Sequence, residues 1–302
     1  MSKWVTGEWA LVTGAGGLVG KEVVKQLQSK YFVLGTDVAD INKCHFLDVT
    51  RYSIVCSYLD AYCPSVVVHL AAKVAGPPSV KNPYDYYKVN VLGTLNVLEA
   101  MRQTDTKNLV YFSSWSIYGD NPTLPITENI QQQPTTPYGV SKLTSELLIR
   151  NYCDLYGLKA VIFRPTHIFG PEQKENSVVR QILNCMVTGE PFVVYGAGEH
   201  TKELLYVSDV GDAVERAVKY VTEMKGGCEV LVLGTEDPVS IKDLANYART
   251  VQPFPIEFKE PKRVSFSQRS DCSEAKRRLG WTPKVSWQEG ITRCWETKNK
   301  RR

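Results

Sequence analysis

With 302 residues, 43% of them hydrophobic, the chain can bury a substantial core, which excludes a disordered protein and suits one large domain or a domain with an appended lobe. Its 36 Lys and Arg against 32 Asp and Glu leave a net charge of +4, all of it supplied by Lys298, Lys300, Arg301 and Arg302, so the body lacks the distributed basic face of a nucleic-acid binder. No apolar run reaches the ~18 residues of a membrane span and the N-terminal apolar stretch is too short for a signal peptide, so a cytoplasmic setting and no membrane partner are expected.

Residues 10–13 read as a strand, followed by Gly14, Gly16, Gly17 and Gly20 at the start of an amphipathic helix over 18–29. Glycines there allow a tight turn and close backbone approach to a pyrophosphate, and the helix N-terminus, at Leu18 and Val19, offers unpaired amides and a favourable dipole. Such a loop alone could be an ordinary turn; here it sits where the first crossover of an alternating pattern belongs. The next strand, 32–37, ends in Asp37. A carboxylate there can accept hydrogen bonds from both adenosine ribose hydroxyls and would repel the extra phosphate of NADP, and the first basic residue after it is Lys43, so NAD is favoured. A turn aspartate closing the strand is the other reading.

Further strands at 44–47, 66–70, 109–113 and 160–164 alternate with helices at 53–62, 84–102 and 138–156, the pattern of an α/β, doubly wound parallel sheet of the Rossmann type. Beyond Pro165 the pattern loosens, with Gly and Pro interruptions at Gly170-Pro171, Gly189-Glu190-Pro191, Gly196-Ala197-Gly198 and 253–261. Residues 1–165 are therefore expected to form the dinucleotide-binding domain, and 166–302 mainly a smaller C-terminal substrate-binding lobe. Within it, 208–251 is expected to return to the main sheet through a strand at 229–233 and a helix at 241–251. The eight cysteines are scattered without Cys-x-x-Cys or a His pair, which points to reduced thiols and no metal.

The strand over 109–113 runs into Ser113-Ser114-Trp115-Ser116, placing hydroxyls at the carboxyl edge of the sheet, where open α/β folds bind ligands. In Tyr138-Gly-Val-Ser-Lys142 the tyrosine and lysine share one helix face. A phenol is too weak an acid to serve as base at neutral pH, but an adjacent ammonium and a positive nicotinamide ring both favour phenolate. Lys142 could also hold the nicotinamide ribose, and Ser114 could hydrogen-bond the reacting oxygen. By itself the Tyr-x-x-x-Lys pair could be an exposed helix face.

Taken together, TGAGGLVG, Asp48-Val49, His69-Leu-Ala-Ala72, the segment from Asn90 to Ala100, FSSWSIYG, YGVSK and RPTHIFGP resemble, in order and spacing, the NAD-dependent epimerase/dehydratase family of extended short-chain dehydrogenases. That family mostly acts on nucleotide sugars. The resemblance implies that Asp48 and Val49 flank adenine, that Leu70, Ala71, Ala72 and Lys73 line the groove near the nicotinamide, and that Asn90 braces the active-site wall. It also implies that Ser113 and Pro165 touch the cofactor and that Trp115 and Ser116 join Ser114 and Tyr138 against the substrate. From the residues alone, Asn90 would be a helix-surface residue and Lys73 a solvated cation.

The chemistry implied is transient oxidation of a sugar hydroxyl, with Tyr138 taking the proton, followed by return of hydride to the other face of the keto sugar. Family dehydratases carry an Asp-Glu pair directly after the catalytic hydroxyl residue, where this chain has Trp115-Ser116, so the expectation is a UDP-sugar 4-epimerase. A 4-keto nucleotide-sugar reductase is the alternative. A dinucleotide-binding scaffold without turnover is a third reading, disfavoured because tyrosine and lysine are both present, and a non-sugar dehydrogenase would call for a more apolar distal lobe. The family's Arg-x-x-Asn reads Arg164-Pro-Thr-His167 here, and its arginine before the Asp-Phe-Val-Tyr-Val segment is Lys202. His167 can still donate to a phosphate or sugar oxygen, or be a core histidine; Lys202 supplies charge without the bidentate fork. Arg263 resembles the second diphosphate-binding arginine, or is a solvated surface arginine. The resemblance finally implies a homodimer in which the helices at 84–102 and 138–156 meet their symmetry mates.

Overall fold

The structure is a computed structural model that describes residues 8–39, 44–74, 76–120, 123–174, 176–261 and 266–300. Its first half folds as strand and helix in turn: β1 (Trp9–Thr13), α1 (Leu18–Leu27), β2 (Phe32–Asp37), β3 (His45–Phe46), α2 (Tyr52–Tyr62), β4 (Val66–His69), α3 (Gly76–Lys81), α4 (Pro83–Tyr86), α5 (Gly93–Gln103), β5 (Asn108–Phe112), α6 (Pro137–Tyr156) and β6 (Lys159–Pro165). The helix expected over 84–102 is one continuous element interrupted by a π-helical stretch, Tyr87–Leu92, between α4 and α5. That wider turn carries Asn90, which is buried, and not on the helix surface. Gly76-Pro-Pro, a breaker by composition, opens α3, because proline fits the first turn of a helix where its missing amide is not needed.

The second half contains β7 (His167–Phe169), α7 (Val178–Thr188), β8 (Phe192–Tyr195), β9 (Thr201–Lys202), β10 (Leu204–Tyr206), α8 (Val207–Glu223), β11 (Gly227–Leu233), β12 (Val239–Ser240), α9 (Ile241–Val251), β13 (Ile256–Lys259), α10 (Ser273–Leu279) and α11 (Trp287–Asn299). Among the described residues no helix is long and apolar enough to cross a membrane.

Seven parallel strands form the main sheet in the order β11-β6-β5-β4-β1-β2-β3. Strand alternation decides which layer each side chain joins. Ala10, Val12, Val66, Val68, Val110, Phe112, Val161 and Phe163 pack with α1 and α8, through Val23, Leu27, Val210 and Val214. Leu11, Val67, Leu109, Tyr111, Ala160 and Ile162 face the other way, against Val55 and Leu59 of α2, Val97 of α5 and Ile149 of α6. Both faces are covered, so these strands read as unbroken apolar runs. Each fully buried aliphatic side chain contributes roughly 1.5–3 kcal/mol against exposure. The doubly wound sheet expected from the sequence is thus the fold.

A second core holds the lobe together. Ile182 and Leu183 of α7, Phe192 and Val194 of β8, Leu244 and Ala248 of α9 and Ile291 of α11 close it. β11 pairs with β6 at the edge of the main sheet, whereas α9 packs inside this second core. The short parallel pair β10-β7 continues directly from β6, carrying the chain out of the sheet and into the lobe. That exit places His167 above the carboxyl edge.

Candidate active site

Strand order reverses between β1 and β4, and their carboxyl ends, Thr13 and His69, open the crevice where such sheets bind ligands. The glycine loop lies on one wall. Gly14 has φ +71°, and a Cβ there would fall 2.7 Å from the Ala71 amide nitrogen; a Cβ on Gly20 would fall 2.2 Å from the Gly14 carbonyl oxygen. Gly17 caps α1 without any side-chain cap, so the first-turn amides of Leu18 and Val19 are left to the loop side. This uncapped helix end, with backbone packed too tightly for side chains, fits a pyrophosphate.

Asp37 ends β2 and accepts from the Gly16 amide and the Ala39 amide, each at 3.0 Å. It therefore closes the turn and anchors the loop, with carboxylate lone pairs still available to the ribose hydroxyls expected there. Asp48 accepts from the Thr50 amide at 2.9 Å and the Thr50 hydroxyl at 2.8 Å. Its neighbour Val49 is buried against Gly93, where a Cβ would approach Val49 Cγ2 to 2.7 Å.

Behind the loop runs a buried polar chain that the sequence did not suggest. Thr13 Oγ1 accepts from the Ala71 amide (3.2 Å) and meets His69 Nδ1 at 2.7 Å; His69 Nε2 meets Thr94 Oγ1 at 3.2 Å, and that hydroxyl donates to the Asn90 carbonyl at 2.6 Å. Because Thr94 spends its proton on Asn90, it can only accept from His69, so the ring carries its proton on Nε2 and Thr13 donates to Nδ1. Burial, aided by the Lys142 charge, pushes His69 down to about 3, keeping it neutral. Asn90 itself donates to the Lys73 carbonyl (3.0 Å) and to Ser141 Oγ (2.9 Å), and accepts from the Lys73 amide (2.8 Å). It ties the 70–73 segment to α6. The Lys73 ammonium points away, exposed and paired with Asp85 at 2.9 Å.

A cleft of about 790 Å³ opens at this edge, lined by Val19, Leu70, Ala72, Ser113, Ser114, Ser116, Tyr138, Lys142, Pro165 and His167 among the residues expected from the sequence. Tyr138 and Lys142 share one face of α6, which Thr136 caps by accepting from the Gly139 amide at 3.2 Å. Tyr138 is only 8% exposed, edge-on to Tyr86. Burial pushes the Lys142 ammonium down to about 7, and Glu146 one turn on pulls it back up. Ser114 Oγ accepts from the Ser116 amide at 3.1 Å, so its own proton remains to be donated.

Trp115 does not line the cleft. The short 3-10 turn after Ser114 swings its indole into the main core, edge-on to Tyr118, so of this serine-tryptophan run only the serines reach the cleft. Lys202 lies further out, in the β12-β9 ladder, donating to the Phe266 carbonyl at 3.4 Å, and its charge joins burial in pushing His167 down to about 4. Arg263 lies outside the described residues. Thr166, Tyr86, Asn176 and Ser177 also line the cleft, and the sequence had not marked them. Buried side-chain atoms without a hydrogen-bond partner include Ser113 Oγ, Thr166 Oγ1 and His167 Nδ1, all in residues of this one cleft. Natural structures rarely leave such atoms unsatisfied, and three of them in one cleft fit a polar ligand there.

Known proteins are similar to this chain over nearly its whole length. The model of the family described as NAD dependent epimerase/dehydratase matches residues 10–234. A UDP-glucose 4-epimerase of Mycolicibacterium smegmatis is 30% identical over 308 residues, covering 95% of this chain and 97% of that protein. Among solved structures, the UDP-glucose 4-epimerase of Thermotoga maritima with UDP-glucose superimposes with a TM-score of 0.88 at 27% identity, covering 97% of this chain and 99% of the other. The UDP-glucose 4-epimerase of Brucella ovis in complex with NAD gives a TM-score of 0.87 at 26% identity, covering 95% and 97%. A likeness that runs from the first strand of the sheet to its last exceeds any shared loop, and this chain belongs to the NAD-dependent epimerase/dehydratase family.

Proposed function

We propose that the protein is an NAD-dependent UDP-sugar 4-epimerase. The observation that carries this reading is the convergence of Tyr138 and Lys142 with Ser114 and with the unsatisfied Ser113, Thr166 and His167 atoms in one cleft beside the glycine loop. NAD, when bound, supplies the acceptor and later the donor of hydride. Gly14, Gly16, Gly17 and Gly20 with the α1 amides would hold its pyrophosphate, Asp37 its adenosine ribose, and Asp48 and Val49 its adenine. Leu70, Ala71, Ala72, Pro165 and Ser113 would shape the nicotinamide end, with Asn90 positioning the 70–73 segment.

In this reading Tyr138 removes the proton of the sugar 4-hydroxyl, the Lys142 ammonium stabilises the phenolate, and Ser114 donates to the same oxygen. Between the hydride removal and the hydride return that NAD would supply, the sugar would turn in the cleft, and Tyr138 would return the proton to its 4-oxygen. His167, Lys202 and Arg263 are assigned to the diphosphate and sugar. Dehydration would need a carboxylic acid beside the sugar, and positions 115 and 116 hold tryptophan and serine. Purified protein incubated with UDP-, dTDP- and GDP-sugars, followed by NMR, tests the reading. Interconversion of UDP-glucose and UDP-galactose without net change in NAD is expected; stoichiometric consumption of reduced cofactor on a 4-keto sugar would select the reductase instead.

The substrate-binding lobe in this reading is 166–302, less α8 and β11, which join the layers of the main sheet. We place the protein in the cytoplasm, where its eight free thiols suit the reducing environment, and fractionation of cell extracts checks that. The homodimer implied by the resemblance has a surface to form on: Leu147 and Leu155 on α6 are 58% and 64% exposed, and Tyr84 on α4 is 72% exposed. Sedimentation is expected to give a dimer, and Leu147→Glu to give a monomer; a monomeric parent protein removes this element.

A further inference from the structure

Lys142 is buried, and its ammonium donates hydrogen bonds to one strand. Its Nζ donates to the Phe112 carbonyl at 2.6 Å and to the Tyr111 hydroxyl at 3.4 Å, and lies 4.8 Å from the centre of the Tyr111 ring. Tyr111 stands on β5 facing α5 and α6, fully buried, and burial pushes its phenol well above the usual range, so it remains neutral. The hydroxyls of Thr94 and Ser145 face it. Both have spent their protons elsewhere, Thr94 on the Asn90 carbonyl at 2.6 Å and Ser145 on the Asn90 and Ser141 carbonyls at 2.8 and 2.9 Å. Neither hydroxyl therefore has a proton left to donate to Tyr111, and the phenol oxygen accepts from Lys142.

We infer that Tyr111 is a positioning residue for Lys142, a second phenol that holds the ammonium against β5 while Tyr138 does the proton transfer. What Lys142 does for the reaction is taken from the epimerase reading. The remaining charged and titratable groups facing Lys142 leave this work to Tyr111. Glu146 and Tyr138 share its helix; His69 stands on β4 and is neutral. Glu146 is committed to Arg164 of β6, which donates through Nε at 3.0 Å and Nη2 at 2.7 Å. Packing between the sheet and α6 would be served by phenylalanine as well; the hydroxyl is the part that packing does not require.

Tyr111→Phe keeps the ring and removes only that oxygen. A hydrogen bond to the charged form favours it, so its loss lets Lys142 give up its proton at lower pH. Activity needs the ammonium, and the alkaline limb of kcat/KM is expected to move down by about 1 pH unit. At a pH on that limb kcat falls roughly 10-fold, the same shift read as a rate, while KM for the UDP-sugar and bound NAD stay at the parent values. The Lys142 titration is also followed directly, without turnover, by the NMR shift of its Cε, assigned through Lys142→Met, with circular dichroism verifying the fold. An unmoved alkaline limb together with an unshifted Lys142 resonance overturns the assignment. If the parent protein turns over no nucleotide sugar, the epimerase reading fails, and the Lys142 resonance still decides the role of Tyr111.

Discussion

Tyr138→Phe is expected to lower epimerase turnover by roughly 10²–10⁴-fold while the protein keeps its fold and its NAD. The variant loses one oxygen from a side chain that is already packed edge-on against Tyr86, and the backbone bond from the Tyr138 amide to Ser79 Oγ (3.1 Å) is untouched. What disappears is the only group in the proposed scheme able to take the 4-hydroxyl proton and give it back. Ser114 can still donate to the sugar oxygen, and Lys142 can still hold a charge near it, but neither replaces a phenolate as base. Turnover is measured by NMR of UDP-glucose and UDP-galactose, and bound NAD by absorbance after denaturation. Turnover near that of the parent would remove Tyr138 from the mechanism.

The second large effect concerns stability. Arg164 and Glu146 are both fully buried, joined by two parallel bonds, and Arg164 Nη1 also donates to Tyr118 OH at 3.0 Å and to the Glu128 carbonyl at 2.9 Å. Arg164→Met leaves the buried Glu146 carboxylate, among the described residues, with the distant Arg150 contact at 3.4 Å as its remaining ion pair, and takes a donor from Tyr118 OH and from the Glu128 carbonyl. Such breakage costs about 3–5 kcal/mol. Urea denaturation of the single variant should show that loss, and Arg164→Met combined with Glu146→Leu should recover much of it, since replacing both charges removes the desolvation penalty as well as the attraction. A single variant as stable as the parent would mean that the pair contributes little to the stability of the fold. This pair lies one helical turn beyond Lys142, so its loss is also expected to disturb the site it supports.

Much of this site is legible in the sequence, and the legible parts are local. Asp37 closes a strand that follows the glycine loop, and Tyr138 and Lys142 are one turn apart on a helix; neighbours at such spacing meet whatever the rest of the chain does. Trp115 defeated the same logic. It follows Ser114 directly, yet a 3-10 turn sends it into the core, because a large indole gains more there than at a polar cleft. Lys73 sits in the right segment, but its flexible stem carries the charge outward to Asp85.

Period and spacing in the sequence by themselves determined the doubly wound sheet, the dinucleotide loop and the Tyr138–Lys142 pair, because strand alternation and helical turns are set within a few residues. Only the tertiary structure decided what those groups touch. It brought Thr166 and His167 over the crevice through the exit of β6 into β7, set Tyr111 beneath Lys142 from another strand, and threaded His69, Thr94 and Asn90 into one chain of hydrogen bonds. Those meetings join residues far apart in sequence, and a buried polar group takes whichever partner the packed layers bring within reach.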